Sequence, residues 1–546
     1  MNLSGGPLIV QSDKTALLEV DHFQASDARH DLAIFAELER APEHVHTYRI
    51  TKLGLWNARA AGHGSDYVLG VLDNYAKFPV PPSIRIDIEQ TMARYGRLTI
   101  RKNEAGNLEL HSEEPAVLAE VTRQRKVSEL LVDKLDENSW QIAEWARGQI
   151  KQELLKLGWP AEDLAGFAPG KPLSLDLMET NWNLRNYQEQ AVERFWEGGS
   201  GVVVLPCGAG KTIVGAATMA VAKTNTLILV TNTVSARQWK TELLKRTTLR
   251  EDEIGEYSGS VKEIAPVTIA TYQILTTKKQ SEYTHLALLN DNDWGLIVYD
   301  EVHLLPAPIF KMTADLQARR RLGLTATLVR EDGKEGDVFS LIGPKRFDAP
   351  WKEIEEQGYI APAKCYEVRI DLPDDEHLEY AISNNEDKYR LAATSSSKIP
   401  VISKILTKHQ GEPTLIIGQY LDQLHQVAES LDAELITGDT PVNTREKLFG
   451  EFREGRIHVL VVSKVANFSI DLPEASLAIQ ISGSFGSRQE EAQRLGRLLR
   501  PKADGRSASF YTLIARDTVD QDFAQNRQRF LAEQGYAYEI LDIQDL

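Results

Sequence analysis

One stretch of the sequence decides the fold: Gly201-Val202-Val203-Val204-Leu205-Pro206-Cys207-Gly208-Ala209-Gly210-Lys211-Thr212. A β-branched apolar run ends in a glycine-rich turn and then in Lys-Thr, and the apolar, alanine-rich residues that follow predict a helix. Phosphate-binding loops need this strand–loop–helix context, because their glycines let backbone N–H groups turn onto phosphate oxygens at a helix N-terminus. The strict pattern has glycine where this chain has Leu205, and a purely structural turn is the alternative. The intact Gly-Lys-Thr favours the phosphate loop.

The phosphate loop gives individual residues expected roles. Gly208, Ala209 and Gly210 are expected to line the phosphates of ATP with their backbone N–H groups. Lys211 is expected to reach the β- and γ-phosphates, and Thr212 to place its hydroxyl on Mg²⁺. The predicted cofactors are therefore ATP and Mg²⁺.

An acidic pair follows a second predicted strand. The run from Trp294 to Tyr299 is apolar, as a buried parallel strand requires, and Asp300 and Glu301 come directly after it. A carboxylate at the carboxyl end of a central strand lies where the metal must be held beside the phosphate loop. We expect Asp300 to hold Mg²⁺ and Glu301 to polarise the attacking water. An acidic pair alone would fit a solvated turn equally well, but downstream of a phosphate loop it is a strong signal.

These elements, together with others in the same order, resemble the superfamily 2 helicases, and among them the XPB DNA helicases. The resemblance covers about residues 180 to 515 and extends more weakly into the N-terminal part. The motifs that carry it are Leu184-Arg185-Asn186-Tyr187-Gln188, Asp300-Glu301-Val302-His303, Leu322-Gly323-Leu324-Thr325-Ala326-Thr327, Arg330-Glu331-Asp332, Ser463-Lys464-Val465-Ala466-Asn467-Phe468-Ser469-Ile470-Asp471-Leu472-Pro473 and Gln489-Glu490-Glu491-Ala492-Gln493-Arg494-Leu495-Gly496-Arg497-Leu498-Leu499-Arg500.

The resemblance implies further nucleotide contacts. It assigns Arg185, Gln188 and Asp471 to nucleotide binding, places Gln493 towards the phosphate or the water, and makes two arginines the fingers that reach the γ-phosphate from a second domain. Three arginines at three-residue spacing in the last motif would project from one helix face, which agrees with that role, although a solvated basic face is the alternative. The two finger arginines are Arg497 and Arg500.

The resemblance also implies DNA contacts and residues that couple hydrolysis to movement. Trp239 and Tyr272 could equally be packing residues, and Arg319-Arg320-Arg321 is interpreted as a solvated patch before a strand. The DNA-contact positions are Arg237, Trp239, Thr271, Tyr272, Ser463 and Lys464. The coupling positions are Thr325, Thr327, Arg330, Glu331 and Asp332.

Composition limits the class of protein. The chain has 546 residues, enough for three or four domains, and a net charge of −17, so any DNA contact must depend on where positive charge is placed. Two cysteines allow neither a disulfide framework nor a thiolate metal site. We find no apolar stretch long enough to span a membrane and no signal peptide at the N-terminus, so a cytoplasmic protein is expected.

The expected fold is α/β, with two tandem RecA-like parallel-sheet motor domains after small winged-helix-like and α+β N-terminal domains. Strand-like and helix-like runs alternate from residue 201 to about 328 and again from residue 414. Three helix-like pieces and a hairpin over 97–110 suggest the winged helix, which would contact DNA or a partner. The predicted domains are 1–112, winged-helix-like; 113–175, similar to a damage-recognition domain; 176–355, ATP-binding motor; and 356–546, second motor.

The resemblance implies an ATP-dependent DNA helicase and translocase that moves 3′ to 5′ and acts in DNA repair, namely nucleotide excision repair. The polarity comes from the family alone. The length is similar to the compact prokaryotic form, which implies a nuclease as a partner. Two alternatives stay open: a double-stranded DNA translocase or remodeller that does not separate strands, and an ATP-gated scaffold in a repair or transcription assembly.

Overall fold

The structure is a computed structural model of the chain. It describes residues 5–42, 44–178, 182–206, 208–279, 282–285, 288–306, 309, 313–314, 316–317, 319–326, 334–349, 354, 363–463, 475–483, 508–533 and 538–546. Within these residues, no helix has the length and apolar character that crossing a membrane requires.

The N-terminal module combines an antiparallel sheet with four helices. In the described chain its strand order is β1-β2-β4-β3, and we call this the N-terminal sheet. The three helices after the sheet were predicted, whereas the sheet was not. The strands are β1 (Leu8–Val10), β2 (Thr15–Glu19), β3 (Ala36–Arg40) and β4 (Val45–Ile50), and the helices are α1 (Ala25–Leu32), α2 (Lys52–Ala60), α3 (Ser65–Tyr75) and α4 (Pro82–Ala93).

A second sheet, the middle sheet, follows with the order β7-β8-β6-β5-β9 among the described strands. The predicted hairpin is present, with Thr99 opposite His111, but its strands also pair with β8 and β9. It is therefore part of the middle sheet and not a wing on the first helices, and residue 112 falls inside this unit. The elements are β5 (Leu98–Lys102), β6 (Leu108–His111), α5 (Pro115–Thr122), α6 (Arg125–Ser128), β7 (Leu131–Lys134), β8 (Ser139–Ile142), α7 (Arg147–Lys156) and β9 (Ala161–Asp163).

The first motor domain is built on a parallel sheet, the first motor sheet, with the order β12-β13-β11-β16-β17-β10-β18. A small antiparallel pair, β14 with β15, lies outside it. The strands are β10 (Ser200–Val204), β11 (Thr226–Val230), β12 (Ile254–Tyr257), β13 (Val267–Thr271), β14 (Lys278–Lys279), β15 (Glu282–Tyr283), β16 (Leu296–Asp300), β17 (Arg320–Thr325) and β18 (Lys345–Asp348). The helices are α8 (Asn186–Gly198), α9 (Lys211–Ala222), α10 (Thr233–Arg246), α11 (Tyr272–Leu275), α12 (Leu288–Asp291) and α13 (Glu335–Asp337), with a π-helical turn over Val338–Ile342.

The second motor domain repeats this design in a second motor sheet, whose described strands have the order β21-β22-β20-β23-β24-β19-β25, all parallel. Both motor sheets confirm the predicted α/β class. The strands are β19 (Ala363–Ile370), β20 (Thr414–Gly418), β21 (Glu434–Ile436), β22 (Val459–Ser463), β23 (Leu477–Gln480), β24 (Ala508–Ala515) and β25 (Tyr538–Asp542). The helices are α14 (Asp374–Ile382), α15 (Asn385–Ala393), α16 (Lys398–Lys408), α17 (Leu421–Leu431), α18 (Val442–Arg453) and α19 (Val519–Glu533).

The predicted solvated patch at residues 319–321 is wrong. Arg321 is fully buried, and its guanidinium donates to the carbonyl oxygens of Leu341 at 2.8 Å and Gln317 at 2.8 Å. The guanidinium of Arg320 lies 4.1 Å from the ring centroid of Trp196, a cation–π contact. These arginines are structural because backbone carbonyls and aromatic faces replace the water that a charged patch would otherwise need.

Candidate ATP site at the edge of the first motor sheet

The topology of the first motor sheet brings the predicted site residues together. Strands β10, β17 and β16 are neighbours and run parallel, so their carboxyl ends meet at one edge. The phosphate loop follows β10, Asp300 ends β16 and Thr325 ends β17. This edge is where ligands bind in open parallel sheets.

The phosphate loop depends on glycine conformations. Gly208 and Gly210 have φ values of 83° and 84°, in the left-handed region that favours glycine. A Cβ on Gly210 would lie 2.6 Å from Nε2 of Gln188, so a side chain here would displace this amide from the loop. The loop then enters α9, whose first turn carries Lys211 and Thr212. Cys207 lies outside the described residues.

The upstream motif holds the loop in place. The amide of Gln188 and the hydroxyl of Tyr187 each donate to the carbonyl oxygen of Ala209, both at 2.9 Å. The guanidinium of Arg185 donates to the Tyr187 hydroxyl at 2.9 Å. Tyr187 is part of the upstream motif but had no predicted role, because its hydrogen bond to the loop depends on the folded arrangement.

Lys211 forms an ion pair with Glu301. Its Nζ lies 2.5 Å from Oε1 of Glu301, and both side chains are largely buried. Burial alone would raise the pKa of Glu301, but the Lys211 ammonium holds it below its ordinary value, so this carboxylate is charged. Glu301 itself has a φ of 49°, a left-handed backbone conformation that is strained for a residue other than glycine. Such strain is common at functional sites.

Asp300 is held at every oxygen. Its Oδ2 accepts a hydrogen bond from the indole N–H of Trp239 at 2.9 Å, and its Oδ1 accepts one from the backbone N–H of Glu301 at 3.1 Å. The hydroxyl of Tyr272 donates to the backbone carbonyl oxygen of Asp300 at 2.8 Å. Burial, and then the neighbouring Glu301 carboxylate, raise the pKa of Asp300 to about 6.

Two residues that were predicted to contact DNA are buried inside the first motor domain. Trp239 and Tyr272 are buried, with 1% and 4% of their surface exposed, and both hydrogen-bond to Asp300. Side chains so deeply buried cannot contact a DNA backbone, so the packing alternative is the correct one for them. Thr271 is also buried, and its hydroxyl caps α11 by accepting from the backbone N–H of Ile274 at 3.4 Å.

Thr325 connects the acidic motif to the next strand. Its hydroxyl lies 2.7 Å from Nδ1 of His303, and His303 Nδ1 lies 3.6 Å from Oε2 of Glu301. The carbonyl oxygen of Thr325 also accepts from the backbone N–H of Leu205, the residue before the loop, at 2.9 Å. A chain of contacts therefore runs from the Glu301 carboxylate to β17.

The remaining predicted site residues lie away from this edge of the sheet or outside the described residues. Arg237 is exposed on α10, and Ser463 is buried at the end of β22, paired with Gly418. Several predicted residues lie outside the described residues, and their roles stay predictions. They are Thr327, Arg330, Glu331, Asp332, Lys464, Asp471, Gln493, Arg497 and Arg500.

The residues at this edge fit ATP and Mg²⁺. The loop presents a helix N-terminus and left-handed glycines to an anion, and a Cβ at Gly210 would collide with the Gln188 amide that holds the loop. Lys211 supplies a cation within it. Asp300 and Thr212 supply the carboxylate and hydroxyl oxygens that Mg²⁺ prefers, and Asp300 is already oriented by its neighbours.

Comparison with known proteins places the chain in a family. Residues 354–545 match the family model described as ERCC3/RAD25/XPB C-terminal helicase. Residues 181–330 match the model of the type III restriction enzyme, res subunit, and residues 8–136 match one described as helicase conserved C-terminal domain.

Full-length relatives agree. The chain is 65% identical over 544 residues to a DNA 3′-5′ helicase XPB of Kineococcus radiotolerans, covering 100% of this chain and 98% of the relative. It is 61% identical to the protein of the same name from Mycobacterium tuberculosis, covering 100% and 99%. The general transcription and DNA repair factor IIH helicase/translocase subunit XPB of Enterocytozoon bieneusi is 31% identical, with 98% and 92% covered. The chain therefore belongs to the XPB helicase family, in its compact bacterial form.

Proposed function

We propose that this chain is an ATP-dependent DNA helicase that moves 3′ to 5′ along DNA, separates its strands and acts in nucleotide excision repair. The observation that carries the proposal is the constellation of Lys211, Asp300 and Glu301 at one edge of a parallel sheet. Relatives named DNA 3′-5′ helicase that align over the whole chain support the polarity and the substrate.

In this proposal each residue at the edge has a task towards ATP and Mg²⁺. Lys211 exchanges Glu301 for the β- and γ-phosphates, and Thr212 with Asp300 holds the metal. The released Glu301 carboxylate then orients and polarises the attacking water. When bound, Mg²⁺ neutralises the charge that develops on the phosphates.

The second motor domain completes the site on closure. We assign Arg497 and Arg500 to the γ-phosphate, Gln493 to the phosphate or water, and Asp471 to the nucleotide, by the family pattern. An arginine from a second domain reaches the phosphate only in the closed cleft, which ties hydrolysis to domain movement.

The proposal also covers the DNA contacts, the residues that couple hydrolysis to movement, the location of the protein and its partner. Exposed Arg237 contacts the DNA backbone, with Lys464 from the second motor domain, and Thr325 passes closure on through His303. The element Arg330-Glu331-Asp332 and Thr327 take part in this coupling. We further propose a cytoplasmic protein that works with a nuclease, which cuts the strand that the helicase exposes.

The test is ATP hydrolysis by the purified chain with no nucleic acid, single-stranded DNA, duplex or fork, alongside Lys211→Ala. The control is Lys223→Ala, which removes an exposed lysine paired with Asp176 just beyond the other end of α9. We expect strong stimulation by DNA that Lys211→Ala abolishes and Lys223→Ala retains, and release of a labelled strand from the fork. Hydrolysis without strand release would favour a pure translocase. No stimulation by any nucleic acid would overturn the proposal of a stand-alone motor.

A further inference from the structure

Helix α10 contacts the site through the side chain of Trp239. It begins just after β11, at the carboxyl edge of the first motor sheet, with Asn232 as its cap, whose side-chain oxygen accepts from the backbone N–H of Ser235 at 2.9 Å. Trp239 is on the buried face of this helix, while Arg237 is exposed to solvent.

The indole of Trp239 lies between α10 and two elements of the site. Its N–H donates to Oδ2 of Asp300 at 2.9 Å, at the end of β16. Its far edge packs on α9, the helix of the phosphate loop, where a Cβ on Gly215 would lie 2.4 Å from Cη2 of the ring. The absence of a side chain at Gly215 is therefore what admits the ring.

The hydrogen bond to Trp239 fixes the rotation of the Asp300 carboxylate. The other oxygen, Oδ1, is held by the adjacent backbone N–H of Glu301, so the indole supplies the side-chain partner of Oδ2 from outside the acidic motif. Donors behind a ligating carboxylate orient it towards its metal, and their loss commonly weakens metal affinity or activity by about 10- to 100-fold.

We propose that Trp239 is a positioning residue that orients Asp300 for Mg²⁺ and so sets the affinity of the site for metal-bound nucleotide. The inference rests on the proposed function of Asp300. Trp239 does not touch the nucleotide in this role; it acts through the carboxylate. It also makes α10, which carries the exposed Arg237, part of the support of the metal site.

The test is equilibrium binding of a fluorescent, non-hydrolysable ATP analogue to the full chain, titrated with Mg²⁺ and repeated in EDTA. Trp239→Phe keeps an aromatic ring but removes the N–H. Trp294→Phe is the matched control, because Trp294 is fully buried and its N–H donates at 2.8 Å to the backbone carbonyl oxygen of Leu288. We expect Trp239→Phe to raise the Mg²⁺ concentration at half-saturation about 10-fold, with binding in EDTA changed less than about threefold, and Trp294→Phe to leave both unchanged.

Circular dichroism first establishes that each variant folds. If Trp239→Phe does not fold, Gly215→Ala takes its place, since its methyl group displaces the ring from Asp300. An unchanged Mg²⁺ dependence, or an equal shift in Trp294→Phe, would overturn the inference. The binding assay does not depend on turnover. A chain that fails to hydrolyse ATP in the presence of DNA would therefore refute the proposed helicase, whereas the role of Trp239 would be decided by the Mg²⁺ titration alone.

Discussion

The ammonium nitrogen of Lys211 lies 2.5 Å from Oε1 of Glu301, so the cation of the phosphate loop and the carboxylate proposed to activate water are ion-paired across 90 residues of sequence. Both side chains are more than four-fifths buried. Any anion that binds Lys211 must therefore compete with Glu301, so under the proposed function phosphate binding would release this carboxylate.

Replacing Glu301 by glutamine should separate binding from hydrolysis. The amide cannot accept a proton from water, so we expect hydrolysis to fall by about 100-fold or more. Nucleotide affinity should be equal or higher, because Lys211 no longer has to break an ion pair with a carboxylate before it binds phosphate. Filter binding and phosphate release would measure the two quantities, with exposed Glu193→Gln on α8 as control. A loss of nucleotide affinity that matches the loss of hydrolysis would contradict the proposal that phosphate replaces Glu301 at Lys211.

Helix α7, which packs with the middle sheet, is docked on the first motor domain through a close approach at Gly148. A Cβ there would lie 2.5 Å from the carbonyl oxygen of Ala314 and 2.7 Å from its Cα, both backbone atoms that cannot move independently. We expect Gly148→Ala to cost about 1–3 kcal/mol by forcing α7 away from the motor. Gly70→Ala is the control: nothing lies within 4 Å of its Cβ, so this helical position should be unchanged or gain up to about 1 kcal/mol. Thermal unfolding and limited proteolysis would measure both, and equal melting temperatures would contradict the close docking.

The sequence was sufficient for features that depend on local pattern. The glycine turn before Lys211, the strand ending at Asp300 and the hairpin Leu98–His111 are all where they were predicted. Each is encoded within a few consecutive residues, because turn chemistry and apolar runs act over that distance.

Features that depend on docking could not be predicted. Trp239 reaches Asp300 across 61 residues, and Lys151 reaches Gln317 across 166. The buried position of Arg321 depends on carbonyl oxygens from both sides of it in the chain, Gln317 before it and Leu341 in the π-helical turn after it. Nothing in the local sequence distinguishes an arginine that will find such acceptors from one that stays in water.

A buried charge cluster lies between α7 and β9, and its Lys151 also donates to the side-chain oxygen of Gln317 in the first motor domain. Asp163 accepts hydrogen bonds from Arg147 and Lys151, both at 2.8 Å, and all three side chains are about nine-tenths buried. Burial would raise the pKa of Asp163, but the two cations hold it below its ordinary range. Burial also lowers the pKa of Lys151, to about 8.

Asp163→Asn should therefore destabilise the chain strongly. It leaves two cations buried without a counter-charge, for which we expect a loss of about 3–5 kcal/mol. Glu129→Gln, which breaks an exposed pair with Arg125, should change stability by less than about 0.5 kcal/mol. Denaturant unfolding followed by hydrogen exchange in α7 would measure the difference. Equal effects of the two changes would refute a structural role for the buried cluster.

The N-terminal sheet contains a buried histidine that should respond to acid. His46 in β4 is 3% exposed, and burial, with a smaller effect of Arg29, lowers its pKa to about 3 from an ordinary 6.5. The unfolded chain therefore takes up a proton at a pH where the folded chain does not. The stability that neutral His46 contributes is complete above pH 6.5 and is lost as the pH falls towards 3.

At pH 5 this difference in proton binding should cost the N-terminal sheet about 2 kcal/mol relative to neutral pH. His46→Gln cannot take up the proton, so its stability should change less between pH 7.5 and pH 5, whatever its value at pH 7.5. Hydrogen exchange of the β2 and β4 amides at the two pH values, corrected for intrinsic rates, would measure the change. His44→Gln is the control, because the His44 side chain is 71% exposed and should leave the acid response as it is. If the native chain and His46→Gln lost the same stability between pH 7.5 and pH 5, groups other than His46 would be responsible and the prediction would be wrong.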